Sequence, residues 1–486
     1  MNDRIRTIGR TRRALTAVTL AALTAGSGVA AYADVPDGAS AASTGVQACR
    51  PLPADSEPPQ LPDPTPTTTA TLRQAYECIL DNAYAGSRVD TRELLRAGFK
   101  AFTEELIRRG ADRPEATLAG LTGRRDRDWK AFAATYQRVT DALPQDADLR
   151  QALAGAVING MLSALHDNHV RWDGFRPGGG GGGPFSLGFL ESASGRFTPQ
   201  FADAAPPLYV KLVKAGGPAD LAGLKPGDVL VAVNGVPVEV NGRITTGVME
   251  WLHPKSDRDA VKVTVKRPST DETLSVDLRP YRRTPALPAV AVTLLPGNVA
   301  GVTLPAMLPG FADEALAKIA ELRRTTGLRG IVFDVRGNGG GRAEEGLKLI
   351  SSFAHGKVVG RDCDVRNHCT ETRTDDTVAL LDLPYAVVTD SMCASACEDF
   401  VANTKFLGLG KVVGTRTMGA VSGLQNGFQL NDNSVLIMPT TRHHWANGEV
   451  VDEIGVPVDH PAERTAEDLS DGRDPALDKA LSLLAS

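Results

Sequence analysis

The sequence predicts a multidomain α+β chain: a helical segment, a β-rich module and an alternating α/β region. Three observations carry that expectation. Between residues 70 and 167 apolar residues recur at helical spacing. After six consecutive glycines at 178–183 they fall instead into short alternating runs. Beyond about 285, strand-like and helix-like runs alternate, the pattern of an α/β layer structure. A chain of 486 residues has room for several domains and a sizeable core.

The N-terminus is set apart first. Arg4, Arg6, Arg10, Arg12 and Arg13 precede an apolar stretch at 14–31 that ends in Ala31-Tyr32-Ala33. Basic residues, an apolar run and a small-x-small site together predict a signal peptide over 1–33. Arg12-Arg13 also permits a twin-arginine route. The expectation is a secreted or cell-envelope protein with no membrane association after cleavage. The remaining 453 residues carry a net charge of -9. With aromatics at only 5%, such a chain offers nucleic acid neither a basic surface nor stacking platforms.

Residues 34–69 are rich in Pro, Thr, Ser and Ala, with seven prolines between Pro51 and Pro66. They read as an extended linker or surface strap. The helical domain is expected over 70–177. Leu72, Ala75, Tyr76 and Ile79 share one helical face, as do Leu94, Phe99, Phe102 and Leu106, and again Leu153, Val157, Met161 and Leu165. The six cysteines are even in number, which in an exported chain predicts disulfides. Cys49–Cys78 and Cys363–Cys369 are the preferred local pairs. Cys393 and Cys397 remain, bonded to each other or to the Cys363–Cys369 segment. No C-x2-C pair exists, so zinc is disfavoured.

The β-rich module is expected over 184–282. Gly223-Leu-Lys-Pro-Gly-Asp-Val-Leu230, followed by Asn234-Gly235, predicts a tight turn, a strand and a hairpin turn. This segment resembles a PDZ domain. The resemblance implies that Leu187, Gly188 and Phe189, within Ser186-Leu187-Gly188-Phe189, hold a peptide's carboxy terminus. Successive N–H groups would face the carboxylate while the peptide adds as a strand. A small β-barrel without a ligand is the alternative.

The chemistry is expected in the region 285–484. Strands are predicted at 299–304, 330–335, 386–389 and 412–415, and helices at 311–324, 343–353 and 397–406. Asp334-Val-Arg-Gly-Asn-Gly-Gly-Gly341 follows one strand. It reads as an oxyanion hole or as a tight strand-to-helix turn. No Gly-Lys-Ser/Thr follows, so it is not a phosphate-binding P-loop. Thr389-Asp-Ser-Met-Cys-Ala-Ser-Ala-Cys-Glu398 joins another strand to a helix. A Ser there is a nucleophile on a helix N-terminus or simply a helix cap.

The order of these segments resembles the carboxy-terminal processing and tail-specific protease family, which includes the tricorn protease. The resemblance implies a ClpP/crotonase-like catalytic core and serine-type peptidase activity. It makes Ser395 the nucleophile. The processing branch uses a Lys base, but Ala420 occupies that position, and Lys405 and Lys411 do not match it. The tricorn-like branch uses Ser, His and Glu. It implies His169 of Leu165-His-Asp-Asn-His169 as base and Glu453 as its orienting carboxylate, with Asp452 or Glu449 as alternatives. Imidazole titrates near neutrality without help, whereas Lys must be desolvated. The oxyanion donors would be the N–H groups of Ala396 and Gly340. The expected function is a secreted serine endopeptidase acting on unfolded or tailed proteins through an acyl-enzyme, with no metal or other cofactor. A catalytically inactive peptide-binding scaffold is the alternative, and a lipid-type carrier a more distant one.

Overall fold

A computed structural model describes residues 48–53, 61–86, 88–167, 169–174, 185–192, 206–254, 256–282, 289–421 and 423–485. The expected signal peptide, much of the 34–69 segment and the six glycines lie outside the described residues.

The helical layer contains helices Thr69–Asn82, Thr91–Arg108, Arg125–Asp141 and Ala147–Ser163. Side-chain oxygens start them: Asp90 accepts from Arg92 N, and Asp146 from Asp148 N and Leu149 N. The second and fourth helices cross closely. A Cβ on Gly160 would lie 2.6 Å from Ala101 Cβ and from the Ala97 carbonyl, so only glycine fits. Tyr76, Trp129, Phe132, Phe102 and Tyr136 form a chain of ring contacts inside the layer.

The layer is completed from far away in sequence. Strands Gln425–Gln429 and Val435–Pro439 pair with each other, with Arg50–Pro51 at one edge and Arg171–Asp173 at the other. Phe428, Leu430, Leu436 and Met438 pack into the helical core. The 34–69 segment is therefore a docked strap where it is described. Cys49–Cys78 ties it to the first helix. The expected boundary at 285 also encloses a hairpin that packs with the helical layer.

The β module has its own core. Its largest sheet runs in the order Glu272–Leu278, Val261–Arg267, Val229–Val233, Val236–Pro237. Asn234 and Gly235 both adopt positive φ, as a tight hairpin turn requires. Asp228 is fully buried and accepts from Arg267 at 2.8 and 2.9 Å and from Lys225 N at 2.8 Å.

The α/β core is a six-stranded sheet: Ala291–Leu295, Val299–Thr303, Gly330–Asp334, Tyr385–Thr389, Lys411–Gly414, His460–Pro461. The first pair is antiparallel and every later pair parallel. Its inner strands are almost continuously apolar, as burial on both faces demands. In such sheets, ligand sites form at the carboxyl ends of the strands. Three loops meet there: 335–341, 390–395 and 415–421. Among the described residues no helix is long and apolar enough to cross a membrane.

Candidate active site

Ser395 lies at the junction of the Tyr385–Thr389 strand and the Ala396–Phe406 helix. Its backbone is at φ 55°, ψ -127°, a conformation a non-glycine residue adopts only under constraint. The constraint is visible. Ser395 N donates to the Ala420 carbonyl at 2.9 Å and to Glu398 Oε2 at 3.2 Å. The fully buried Glu398 carboxylate also accepts from Thr417 Oγ1 at 2.5 Å, Gly419 N at 2.7 Å and Ala420 N at 2.7 Å. Burial pushes this carboxyl's pKa up, and the surrounding donors pull it back. Cys393 and Cys397, both fully buried, bridge the turn as a disulfide, and Cys363–Cys369 forms the third pair.

The glycine loop packs directly on this turn. A Cβ on Gly340 would lie 2.7 Å from Ser395 Cβ and 2.6 Å from the Ala394 carbonyl. Buried Asn338 fixes the loop by donating to the Leu304 carbonyl at 2.9 Å. Its Oδ1 accepts from Gly340 N at 2.9 Å. The sequence places the Gly340 N–H in an oxyanion hole. Here that donor is turned to Asn338 instead. The N–H of Ala396, at the first turn of the helix, has no protein acceptor among the described residues. Ala420, where a Lys base would stand, is buried and gives its carbonyl to Ser395. Lys405 is paired with Asp459 at 2.5 Å.

The imidazole expected as base lies beyond the helical layer's last turn. His169 N donates to Asp167 Oδ1 at 2.8 Å, and its Nδ1 lies 3.4 Å from the same oxygen. That Nδ1 is buried with no hydrogen-bond partner among the described residues. His169 acts electrostatically on two carboxyls, Asp452 and Asp399, both pushed up to about 6 chiefly by burial. Asp399 is one helical turn beyond Ser395. Glu453 is exposed at φ 65°, and its N–H donates to the Gly419 carbonyl at 2.7 Å. Asp452 is the more buried of the two adjacent carboxylates. Glu449 is exposed.

Two cavities share a wall made by Val421, Gly423 and His443. One, of about 390 Å³, is lined by His166, Asp167, Asp452 and Glu453. The other, of about 370 Å³, opens on Ser395 and Ala396. The second holds groups that the motifs did not announce: Asp399, Asn403, and His443 with Nδ1 3.4 Å from Asp362 Oδ1. Asp399 and Asn403 carry a local signal, since they follow Ser395 at i+4 and i+8. The His443–Asp362 pair comes from strand register alone. Among the described residues no group of three or more His, Cys, Asp or Glu could hold a metal ion.

In the β module, the side chains of Leu187 and Phe189 are buried in its core. Gly188 has φ 91°, and its N–H donates to Ser186 Oγ at 3.0 Å. Strand Phe189–Glu191 pairs with Val210–Val213 on one side, and no other strand pairs with it among the described residues. Lys211 of the partner strand reaches Asp390 of the core at 2.5 Å. Asp390 in turn accepts from Gly337 N and Met392 N at 3.0 Å, between the two active loops.

Comparison with known proteins agrees with this layout. Residues 298–462 match peptidase family S41, and residues 209–267 match a PDZ domain. A probable CtpA-like serine protease of Staphylococcus aureus (strain N315) is 24% identical over 331 residues, covering 65% of this chain and 60% of that protein. The chloroplastic carboxyl-terminal-processing peptidase 2 of Arabidopsis thaliana is 27% identical over 270 residues, covering 54% and 51%. The chain thus spans between half and two thirds of the length of these curated relatives. The structure of mature CPAF has the same fold, with a TM-score of 0.50 at 12% identity over 85% of this chain and 97% of that one. The chain therefore carries a segment matching a PDZ domain followed by a segment matching peptidase family S41, and is similar in sequence to CtpA-like and carboxyl-terminal-processing serine proteases.

Proposed function

We propose that this chain is an exported serine endopeptidase that cleaves unfolded or tailed proteins. The observation that carries the reading is Ser395: a serine in a strained backbone conformation, on a helix N-terminus, beside a glycine loop and a free N–H. Ser395 Oγ attacks the peptide carbonyl carbon while His169 takes its proton. The carbonyl oxygen becomes an oxyanion facing the Ala396 N–H. Gly340 N–H joins it by turning from Asn338 Oδ1. The tetrahedral species collapses, the C–N bond breaks, and the imidazolium returns its proton to the leaving amine. Water, activated by the same imidazole, then releases the acyl group and restores Ser395. Either Glu453 or the adjacent Asp452 orients the imidazole, and burial favours Asp452. The substrate's tail adds as a strand along Phe189–Glu191, with its carboxylate at the Leu187-Gly188-Phe189 turn.

The test is a fluorophosphonate label read by peptide mass mapping, alongside hydrolysis of unfolded casein. Labelling at Ser395 and hydrolysis reduced at least ~10⁴-fold by Ser395→Ala are expected. The second reading, an inactive peptide-binding scaffold, is favoured by the engaged Gly340 N–H. Peptide binding without labelling or hydrolysis would establish it.

A further inference from the structure

The cavity that opens on Ser395 runs along the nucleophile helix. One face of that helix presents Ser395, Asp399 and Asn403 to it, at i, i+4 and i+8. Helical rise puts Asp399 about 6 Å and Asn403 about 12 Å beyond Ser395 along the axis. Two acceptor atoms on this face are buried and unpartnered among the described residues: Asp399 Oδ1 and Asn403 Oδ1. Buried acceptors without donors are costly, and two in one cavity beside a nucleophile point to a ligand that brings the donors.

The rest of the lining narrows the chemistry. Leu347, Val359 and Val421 supply apolar wall, suited to an aliphatic stem. His443, which also lines the cavity, turns its Nδ1 to Asp362. Its opposite edge abuts Gly360, where a Cβ would lie 2.6 Å from Nε2 and Cε1. His443 therefore leaves Asp399 Oδ1 unsatisfied. Arg342 and Glu344, which also line the cavity, are exposed.

We infer that this cavity is the pocket for the substrate residue preceding the cleaved bond, and that Asp399 selects lysine or arginine there. The ammonium or guanidinium would donate to Asp399 Oδ1, and the stem would lie between Leu347, Val359 and Val421. A guanidinium reaching deeper would engage Asn403 Oδ1. The inference rests on the peptidase reading for Ser395, but the binding of a cation by the pocket does not. The carboxyl of Asp399 is pushed up to about 6, mainly by its burial.

Two measurements separate these layers. In the first, the full chain hydrolyses peptides identical except for Lys, Arg, Ala, Leu or Glu before the cleaved bond. The kcat/KM for Lys and Arg is expected to exceed that for Ala by at least ~10-fold. Asp399→Asn and Asp399→Ser should bring this ratio, taken within each variant, towards one. In the second, p-aminobenzamidine fluorescence reports binding of an aromatic amidinium without any turnover. Binding is expected in wild type, with a loss of at least ~10-fold in affinity in Asp399→Asn. Cleavage that favours Ala or Leu, or a ratio unchanged in both variants, overturns the inference while leaving the peptidase reading standing. Amidinium binding lost in Asp399→Asn, without cleavage of any peptide, supports the cation pocket while the peptidase reading fails. Absence of both binding and cleavage overturns both.

Discussion

The two sides of the proposed site, one around Ser395 and one around His169, are built differently. Ser395 is held from every direction: by Ala420, by a buried carboxylate with four donors, by a disulfide and by the glycine loop. His169 is held by one local contact to Asp167, and its buried Nδ1 has no partner among the described residues. A strained backbone persists only where its surroundings over-determine it. A base that must accept and return a proton needs less fixing before substrate arrives, since catalytic hydrogen bonds often tighten only in the complex. Removing a residue on the first side should therefore cost stability, and on the second only rate.

The largest effect tests the base side. His169→Ala should lower turnover by at least ~10³-fold while shifting unfolding free energy by less than ~1 kcal/mol. A large loss of stability by urea titration would erase the contrast. On the Ser395 side, Glu398→Ala should cost roughly 3–5 kcal/mol, because it strands Thr417 Oγ1 and the Gly419 and Ala420 N–H groups in the interior. The same titration checks it, and a near-neutral result would mean the turn is held without the carboxylate.

Asp399 sharpens the contrast through pH. Its native carboxyl is near 6, above its ordinary 3.8, so its ionisation opposes folding. The penalty is absent below pH 4, grows between 4 and 6, and is complete above 6. His443 and His169 lessen it, while Asp362 and Glu398 add to it. Asp399→Asn should therefore raise stability above pH 6 by up to roughly 3 kcal/mol. The gain should vanish by pH 4 in paired thermal melts. The smallest effect belongs to the short disulfide. The double variant Cys393→Ala/Cys397→Ala should lose roughly 2 kcal/mol, since its loop is short. It should also lower turnover at temperatures where the variant remains folded. Full activity there would show that the disulfide does not stiffen the nucleophile turn.

Much of this was legible in residues. The strands around 330 and 386 are apolar runs, and the core sheet uses them as predicted. Ser395 and the glycine loop sit at strand ends, as their small residues suggested. What escaped reading depends on distant pairing. Nothing near Glu398 announces that residues 417–420 will supply three of its donors. Nothing near Asp362 announces His443, which arrives through antiparallel register. The sequence does not announce that the Asn338 side chain, two residues earlier, folds back to accept from Gly340 N. The motif points to Glu453 as orienting carboxylate, and the sequence does not show that the adjacent Asp452 is the more buried of the two.

The strap at residues 48–53 has a consequence for how the chain assembles. Arg50 and Pro51 pair with Gln429 and Phe428, and Asn431 N donates to Gln74 Oε1 at 2.7 Å. The helical layer made from the first third of the chain therefore lacks part of its core until residue 439 has been synthesised. Until then the surface that will receive Phe428, Leu430, Leu436 and Met438 stays open. Closure of the layer waits on a hairpin that follows all but the last strand of the six-stranded sheet, and a fragment ending before 425 would carry four helices with an unfilled apolar face.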